Sequence, residues 1–283
     1  MNRVQQRLLA SGKTVPVSRL CQWLGLPRST AYYQPGERKA RPLDEVLAAR
    51  IRRIHREEPA CGVRGTWSRL RFGEGIRVNR KKVHLLMKLK GWTLPKRRTG
   101  SRPRVEASCP VAPSPNQRRA TDLALVHCGK DGWCVFVPVI DCRTREILGH
   151  ALEPTGRAKT AERALEEALL NRFGALRNAP ASMLLRHDNG LVFGSRQYRA
   201  VVKDYGLAQE YITPTRPRQN GLCERFIKTF KGELCWTRRF QSIDHARLAV
   251  RAWIEHHNTR RPHQSLNYLT PTQYHERQCK LAA

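Results

Sequence analysis

A Pro- and Arg-rich segment without hydrophobic periodicity divides this chain into two parts with different patterns. Residues 95–115 contain five prolines among serines and arginines, which is typical of an extended linker. Before this segment, apolar residues recur at helical spacing; after it, β-rich runs give way to alternating helices and strands. The sequence therefore predicts all-helical modules followed by an α/β domain with a mixed central sheet.

The same patterns predict the domain boundaries. In chain order, they are a helix-turn-helix-like segment (1–36), a basic helical DNA-binding module (40–94), a linker (95–115), a catalytic core (116–240) and a C-terminal helical segment (241–283). No apolar run is long enough to span a membrane, so we expect a cytoplasmic protein with no membrane partner. The nine cysteines include no C-x-x-C pair, which favours free thiols over a zinc site.

The formal net charge of +30 is the strongest compositional indicator of a partner. Residues 1–118 carry 27 Lys and Arg against 7 Asp and Glu, whereas residues 119–283 carry 26 against 16. Such a balance is typical of proteins that bind nucleic acid, because the phosphates attract positive charge. On charge alone, a solvated basic surface without a polyphosphate partner remains the alternative.

Two stretches of the helical part have the pattern of DNA-binding elements. Residues 17–33 predict a short helix, a turn at Gly25 and a second helix from about Ser29, which fits a helix-turn-helix; an ordinary helical hairpin is the alternative. Residues 43–94 predict three amphipathic helices, the third capped by Asn79. The side chains expected to meet DNA are Arg28, Ser29, Thr30, Arg80, Lys81 and Lys82. The inward residues expected in the first and third helices of the module are Leu43, Val46, Leu47, Ile51, Ile54, Val83, Leu86, Met87 and Leu89.

The α/β part reads as strand, strand, strand, helix, strand, helix, strand, then two helices. The expected strands are Ala120–His127, Trp133–Ile140, Glu146–Leu152, Ser182–Arg186 and Leu207–Tyr211. The expected helices are Lys159–Phe173, Arg196–Tyr205, Arg218–Trp236 and Ile243–His257.

Three acidic residues stand where such a domain can build a site. Asp122 lies in the first apolar run, Asp188 ends a strand before an Asn-Gly turn, and Glu224 lies on a helix. They are separated by 65 and 35 residues. Carboxylates brought together repel unless cations lie between them, and oxygen ligands favour Mg²⁺ or Mn²⁺. In a basic chain this predicts metal-assisted chemistry on DNA or RNA. Two ions would stabilise the attacking and the leaving oxygen of a phosphodiester displacement.

Other polar residues near these acids have more than one interpretation. Lys231 returns to nearly the same helix face as Glu224, so with Lys228 it could bind the DNA backbone beside the ions. Glu210 is an alternative ligand. His187 is interpreted as a ligand, a proton shuttle or, preferably, a residue that packs and bonds locally.

Several motifs together resemble a known family. They are Thr121-Asp122, His187-Asp188-Asn189-Gly190, Asn220-Gly221-Leu222-Cys223-Glu224-Arg225-Phe226 with Lys231, and Arg261-Pro262-His263-Gln264-Ser265-Leu266, preceded by Gly62-Val63-Arg64. The chain resembles the second-reading-frame (OrfB) transposases of bacterial insertion sequences, which have a retroviral-integrase-like (DDE) core. The resemblance covers nearly the whole chain.

The resemblance implies a ribonuclease-H-like fold and DNA cleavage and strand transfer. It implies that Asp122, Asp188 and Glu224 are the catalytic metal ligands for Mg²⁺, with Mn²⁺ as a substitute, and that Asn220 is expected to meet DNA. The partners would be the terminal repeats, target DNA, further copies of the chain and an upstream-frame product, at the nucleoid.

The chain departs from the family pattern at Arg119, where Trp is usual, at Cys61, where an aromatic is common, and at His257, where Tyr is usual.

Two alternatives stand beside the transposase interpretation. One is a catalytically inactive DNA-binding regulator of transposition, and the other is a ribonuclease-H-like nuclease without strand transfer.

Overall fold

The structure, a computed structural model, divides the chain into two compact units, residues 1–44 and residues 45–283. It describes residues 2–33, 43–95, 112–213 and 217–282. Most of the expected linker, residues 96–111, lies outside the described residues.

The N-terminal unit contains short helices. They are α1 (Asn2–Ala10), α2 (Val17–Trp23) and α3 (Arg28–Ala31). Gly25 lies in the turn between α2 and α3 with a φ of 60°, a backbone conformation that favours glycine. The two helices and the turn predicted for residues 17–33 are therefore present.

The second unit begins with a helical module. Its helices are α4 (Glu45–Glu57), α5 (Val63–Ser68), which continues as a π-helical turn (Arg69–Gly73), and α6 (Arg80–Leu89). The Asn79 side chain accepts a hydrogen bond from the Lys81 backbone N–H at 2.9 Å, which confirms the predicted cap of α6.

The small core of this module differs in part from the predicted apolar face. Its buried side chains are Leu47, Ile51, Ile54, Leu70, Val78, Val83, Leu86 and Met87. Leu43, Val46 and Leu89 are exposed, so their prediction as inward residues is wrong. Leu43 precedes α4, and Val46 lies about 100° round that helix from Leu47. Leu89 is the last residue of α6 and lies about 200° round the helix from Met87.

A six-stranded mixed sheet forms the centre of the second unit. Its strands are β1 (Arg118–Thr121), β2 (Ala124–His127), β3 (Trp133–Asp141), β4 (Ile147–Glu153), β5 (Leu184–His187) and β6 (Ala208–Tyr211). β3 pairs antiparallel with β1, β2 and β4, whereas β1, β5 and β6 are parallel neighbours. The predicted mixed sheet is confirmed, and the carboxyl ends of β1 and β5 lie at the same edge.

The prediction of one strand over Ala120–His127 is wrong, because the ladder is interrupted at Asp122 and Leu123. β1 and β2 pair with β3 in a single antiparallel register, and that register puts Pro138 opposite Asp122. Proline has no backbone N–H to donate to a ladder. Asp122 therefore follows β1 as a non-strand residue between two strands.

Helices cover both faces of the sheet. They are α7 (Ala158–Phe173), α8 (Leu191–Gly194) and α9 (Arg196–Asp204) on one face and α10 (Gly221–Phe230), continued by a π-helical turn (Lys231–Cys235), and α11 (Ile243–Thr259) on the other; α12 (Pro271–Ala282) ends the chain. A Cβ atom at Gly149 would lie 2.3 Å from the Ala164 carbonyl oxygen, so the close approach of β4 to α7 requires glycine. Among the described residues, no helix combines the length and apolar character needed to cross a membrane.

Phe230 fixes α10 to the sheet. Its buried ring stacks on Phe136 of β3 at a centroid distance of 4.4 Å and meets Trp253 of α11 edge to face at 5.3 Å. Truncating such a ring to alanine typically costs about 3–5 kcal/mol. This packing holds α10 in place on the sheet.

The helical module packs on the C-terminal segment of the same unit. Tyr268 stacks on Phe72 at 5.4 Å and meets Trp67 edge to face at 5.4 Å. Nearby, Glu58 forms an ion pair with His256 at 3.3 Å and another with Arg69. Burial raises the pKa of Glu58, but the hydrogen bond to His256 and the charge of Arg69 outweigh it and lower the pKa overall.

Candidate active site

Asp122 and Asp188 follow neighbouring parallel strands. Asp122 comes directly after β1, and its Oδ1 accepts a hydrogen bond from the Leu123 backbone N–H at 2.8 Å. Asp188 comes directly after β5, and its Oδ1 accepts one from the Gly190 backbone N–H at 3.0 Å. Both carboxylates are half-buried. The sheet thus presents two local, backbone-oriented carboxylates at one edge, where α/β proteins commonly bind ligands.

Glu224 lies in the first turn of α10 and is exposed. The start of this helix is tied to the end of β1, because the Asn220 side-chain amide donates to the Thr121 carbonyl oxygen at 3.4 Å. At the other end of α10, Phe230 packs in the core. The helix therefore brings Glu224 to the edge that carries Asp122.

The three acids share one electrostatic environment. Burial, together with the negative charges of Asp188 and Glu224, raises the pKa of Asp122 to about 6. The Leu123 N–H and the positive charge of Lys231 act in the opposite direction. The structure thus brings Asp188, Glu224 and Lys231 within electrostatic range of Asp122. Within the four described ranges, however, no three His, Cys, Asp or Glu side chains are arranged so as to hold a metal ion.

His187 is part of the core and packs locally, as the sequence led us to prefer. Its ring is fully buried and stacks on Phe193 at 4.9 Å, and its Nδ1 lies 2.7 Å from the Asp188 backbone oxygen. Burial lowers its pKa, so the neutral form is favoured. His187 therefore supports the loop of Asp188 and leaves the site with carboxylate oxygens as donors.

Glu210, the alternative ligand, is engaged in ion pairs. Its carboxylate accepts from Arg118 Nε at 2.8 Å, Arg186 Nε at 3.0 Å and Arg186 Nη2 at 2.9 Å. Burial raises its pKa, but these arginines outweigh burial and lower the pKa overall. Glu210 joins β6 to β5 and β1, so we assign it a structural role.

The residues predicted to contact DNA differ in exposure. Asn220 is only 2 % exposed and its side chain holds α10 to β1, so its contact with DNA stays a prediction. Lys228 is exposed on α10, and Lys231 is half-buried beside the acids. The predicted contacts on the helical parts, Arg28, Ser29 and Thr30 of α3 and Arg80, Lys81 and Lys82 of α6, are exposed.

Arg119, which stands at a departure from the family pattern, is fully buried between sheet and helix. Its guanidinium carbon lies 5.1 Å from the ring centre of Phe173 at the end of α7. Burial lowers its pKa to about 10, and the negative charge of Asp141 opposes this shift. The departure therefore alters core packing against α7 and changes none of the three acids.

Sequence families match both parts of the second unit. Residues 112–217 and residues 205–271 each match a family described as integrase core domain. Residues 42–99 match a family described as HTH-like domain.

Curated relatives match along most of the chain. The chain is 28% identical over 257 residues to the insertion element IS407 uncharacterized 31.7 kDa protein of Burkholderia multivorans, covering 90% of this chain and 89% of that protein. It is 27% identical over 256 residues to transposase InsD for insertion element IS2D of Escherichia coli, covering 87% and 84%.

Solved structures match at lower sequence identity. The HTLV-2 integrase catalytic core domain in complex with magnesium aligns at 17% identity with a TM-score of 0.43, covering 57% of this chain and 97% of that one. A simian T-cell lymphotropic virus intasome aligns at 14% identity with a TM-score of 0.49, covering 80% and 74%.

Proposed function

Since the chain belongs to the insertion-element transposases that combine an HTH-like domain with an integrase core domain, we propose that Asp122, Asp188 and Glu224 are its catalytic metal ligands. The observation that carries the proposal is that Asp122 and Asp188 follow neighbouring parallel strands and that α10, which carries Glu224, is tied to the end of β1. Burial and the nearby acids make Asp122 costly to ionise, and a divalent cation would relieve that cost.

The donor type of these three residues suits hard divalent cations. Three carboxylates offer only oxygen ligands, which suit Mg²⁺, with Mn²⁺ as a substitute, and we propose two ions. When bound, such ions activate an attacking water or 3′-hydroxyl and stabilise the leaving oxygen of a phosphodiester. The relative described as HTLV-2 integrase core was determined with magnesium.

The protein's own side chains orient this chemistry. Asp122 and Asp188 are held by backbone N–H groups of their own loops, so their carboxylates are preorganised. Lys231 supplies a positive charge beside them for the DNA backbone. In the first step a water oxygen attacks phosphorus and a 3′-hydroxyl departs; in the second, that hydroxyl attacks a target phosphodiester. Each step breaks one P–O bond and forms another, without a covalent protein intermediate.

The exposed basic side chains would hold the DNA. The net charge of +30 and the exposed residues of α3 and α6 support binding to terminal repeats and target DNA. We propose assembly of several copies on DNA at the nucleoid, with an upstream-frame product as a further partner or fusion.

The test is strand joining by the purified full chain on labelled element-end DNA with Mg²⁺. Glu224→Gln is expected to lower joining by at least about 10³-fold while DNA binding is kept, because it removes a ligand charge without changing shape. Glu255→Gln, the same change at an exposed site on α11, serves as the matched control and should join at the wild-type rate. Joining that survives Glu224→Gln would refute the ligand assignment. Binding without products by wild type, even with the upstream-frame product, would identify a catalytically inactive regulator.

A further inference from the structure

Two exposed tryptophans flank a cleft beside the acids. Trp133 begins β3 and Trp236 follows the π-helical turn after α10; they are 64% and 59% exposed. The cleft between them has a volume of about 550 Å³. Large exposed aromatics next to a concave surface are a common mark of a binding site.

The walls of this cleft are held at a fixed separation. One wall is the β2–β3 hairpin and the other is residues 231–240. Gly129, with a φ of 63°, packs so closely that a Cβ atom there would lie 2.4 Å from the Phe240 carbonyl oxygen. The Lys130 N–H also donates to the Gln241 carbonyl at 3.2 Å, and Asp131 accepts from the Ile243 N–H at 2.7 Å. The cleft is therefore preformed and binding need not order it.

The charge of the cleft is positive. Lys231, Arg238 and Arg239 line it, and among the described residues no carboxylate does so. His127 meets the Trp133 ring edge to face at 5.3 Å, which orients that ring from the neighbouring strand. Aromatic faces combined with cationic side chains suit a single nucleic-acid strand, whose bases stack and whose phosphates are anionic.

The cleft is continuous with the proposed active site. Lys231 lines the cleft and also lowers the pKa of Asp122. β2, which forms part of the hairpin wall, begins two residues after Asp122. A strand whose phosphodiester lies at the acids would thus continue into the cleft.

We propose that this cleft receives unpaired nucleotides at the end of the strand being processed. Their bases stack on Trp133 and Trp236, and their phosphates bind Arg238, Arg239 and Lys231. This inference rests on the proposed function, since it needs a DNA strand at the acids. It adds a substrate property: the end of the element must open by a few base pairs to occupy the cleft.

The test is equilibrium binding, without divalent cation, of a fluorescent duplex with or without a few unpaired nucleotides at one end. Wild type should bind the frayed duplex about tenfold more tightly, the gain expected from stacking of one base. The double variant Trp133→Ala/Trp236→Ala should lose that preference while binding blunt duplex as wild type does. Trp133→Phe/Trp236→Phe retains ring faces and should keep most of it. A 2-aminopurine in the unpaired segment should be quenched by wild type and by the Phe variant only.

Three results would overturn the inference: equal affinity for both duplexes, a preference that survives the double Ala variant, or no change in 2-aminopurine fluorescence. A preference that is lost in the Phe variant as well would also count against stacking. Because the assay needs no catalysis, its failure is distinct from failure of the proposed function. If strand joining occurs but the protein does not prefer the frayed duplex, only the inference about the cleft fails. If the protein prefers the frayed duplex but joins no strands, only the catalytic assignment fails.

Discussion

Two half-buried carboxylates on the same sheet have opposite surroundings. Glu210 on β6 receives three hydrogen bonds from Arg118 and Arg186, and these arginines lower its pKa. Burial and the charges of two nearby acids raise the pKa of Asp122, after β1, to about 6. Burial raises the pKa of both carboxyl groups, and the arginines beside Glu210 reverse that shift, so the comparison shows that neighbouring charge decides the sign of the net shift.

The largest effect is expected from removing the paired acid. Glu210→Gln should lower the free energy of unfolding by about 2 kcal/mol, because two largely buried guanidinium groups lose this partner. Urea unfolding at neutral pH measures the loss. Asp204→Asn is the control, since its pair with Arg177 is exposed, and it should unfold as wild type does. Equal losses in the two variants would break the comparison.

Replacing Asp122 is expected to change the free energy of unfolding in the opposite direction. Its folded-state pKa is about 6, above the ordinary value of 3.8, so the folded state binds the proton more tightly than the unfolded state. Wild type therefore loses stability as the pH rises from about 4 to about 6, and the penalty is complete above that range. Asp122→Asn should raise the unfolding free energy by about 1 kcal/mol at pH 8 and leave it unchanged at pH 4, both without divalent cation. A gain of equal size at both pH values would show that packing, and not charge, is responsible.

The smallest effect is expected from replacing Lys231. Its positive charge partly offsets the negative charges of the acids. Lys231→Gln removes a charge that lowers the pKa of Asp122. The pH at which the stability loss from Asp122 ionisation is half complete, measured by urea unfolding without divalent cation, should therefore rise by about half a pH unit. Lys228→Gln removes a charge from an exposed site on the same helix and should leave that midpoint in place. Equal midpoints in the two variants would show that the charge of Lys231 does not act on Asp122.

The sequence predicted the mixed sheet, but it did not predict the surroundings of the candidate site residues. Asp122, Asp188 and Glu224 were chosen from the resemblance to the insertion-sequence transposases, and their spacing only made the choice plausible. The ion pairs of Glu210 could not be predicted, since Arg118 lies 92 residues away along the chain. The burial of Asn220 was missed for the same reason, because its partner Thr121 lies 99 residues away.

Local patterns also left two features open. The break at Asp122 depends on Pro138 of the neighbouring strand, so the register had to be known before the proline could explain it. The cleft of Trp133 and Trp236 was not predicted, because an aromatic in a β-rich or helical run looks the same in sequence whether it is buried or exposed.

The ring stack of Phe72 on Tyr268 has a consequence for how such proteins diversify. These rings belong to opposite ends of the second unit, 196 positions apart in the chain. A recombination event that replaced only the front helices would leave Tyr268 facing a foreign surface. The helical module and the tail that carries Tyr268 should therefore be exchanged together. Hybrids that exchange both segments should be more stable than hybrids that exchange only one.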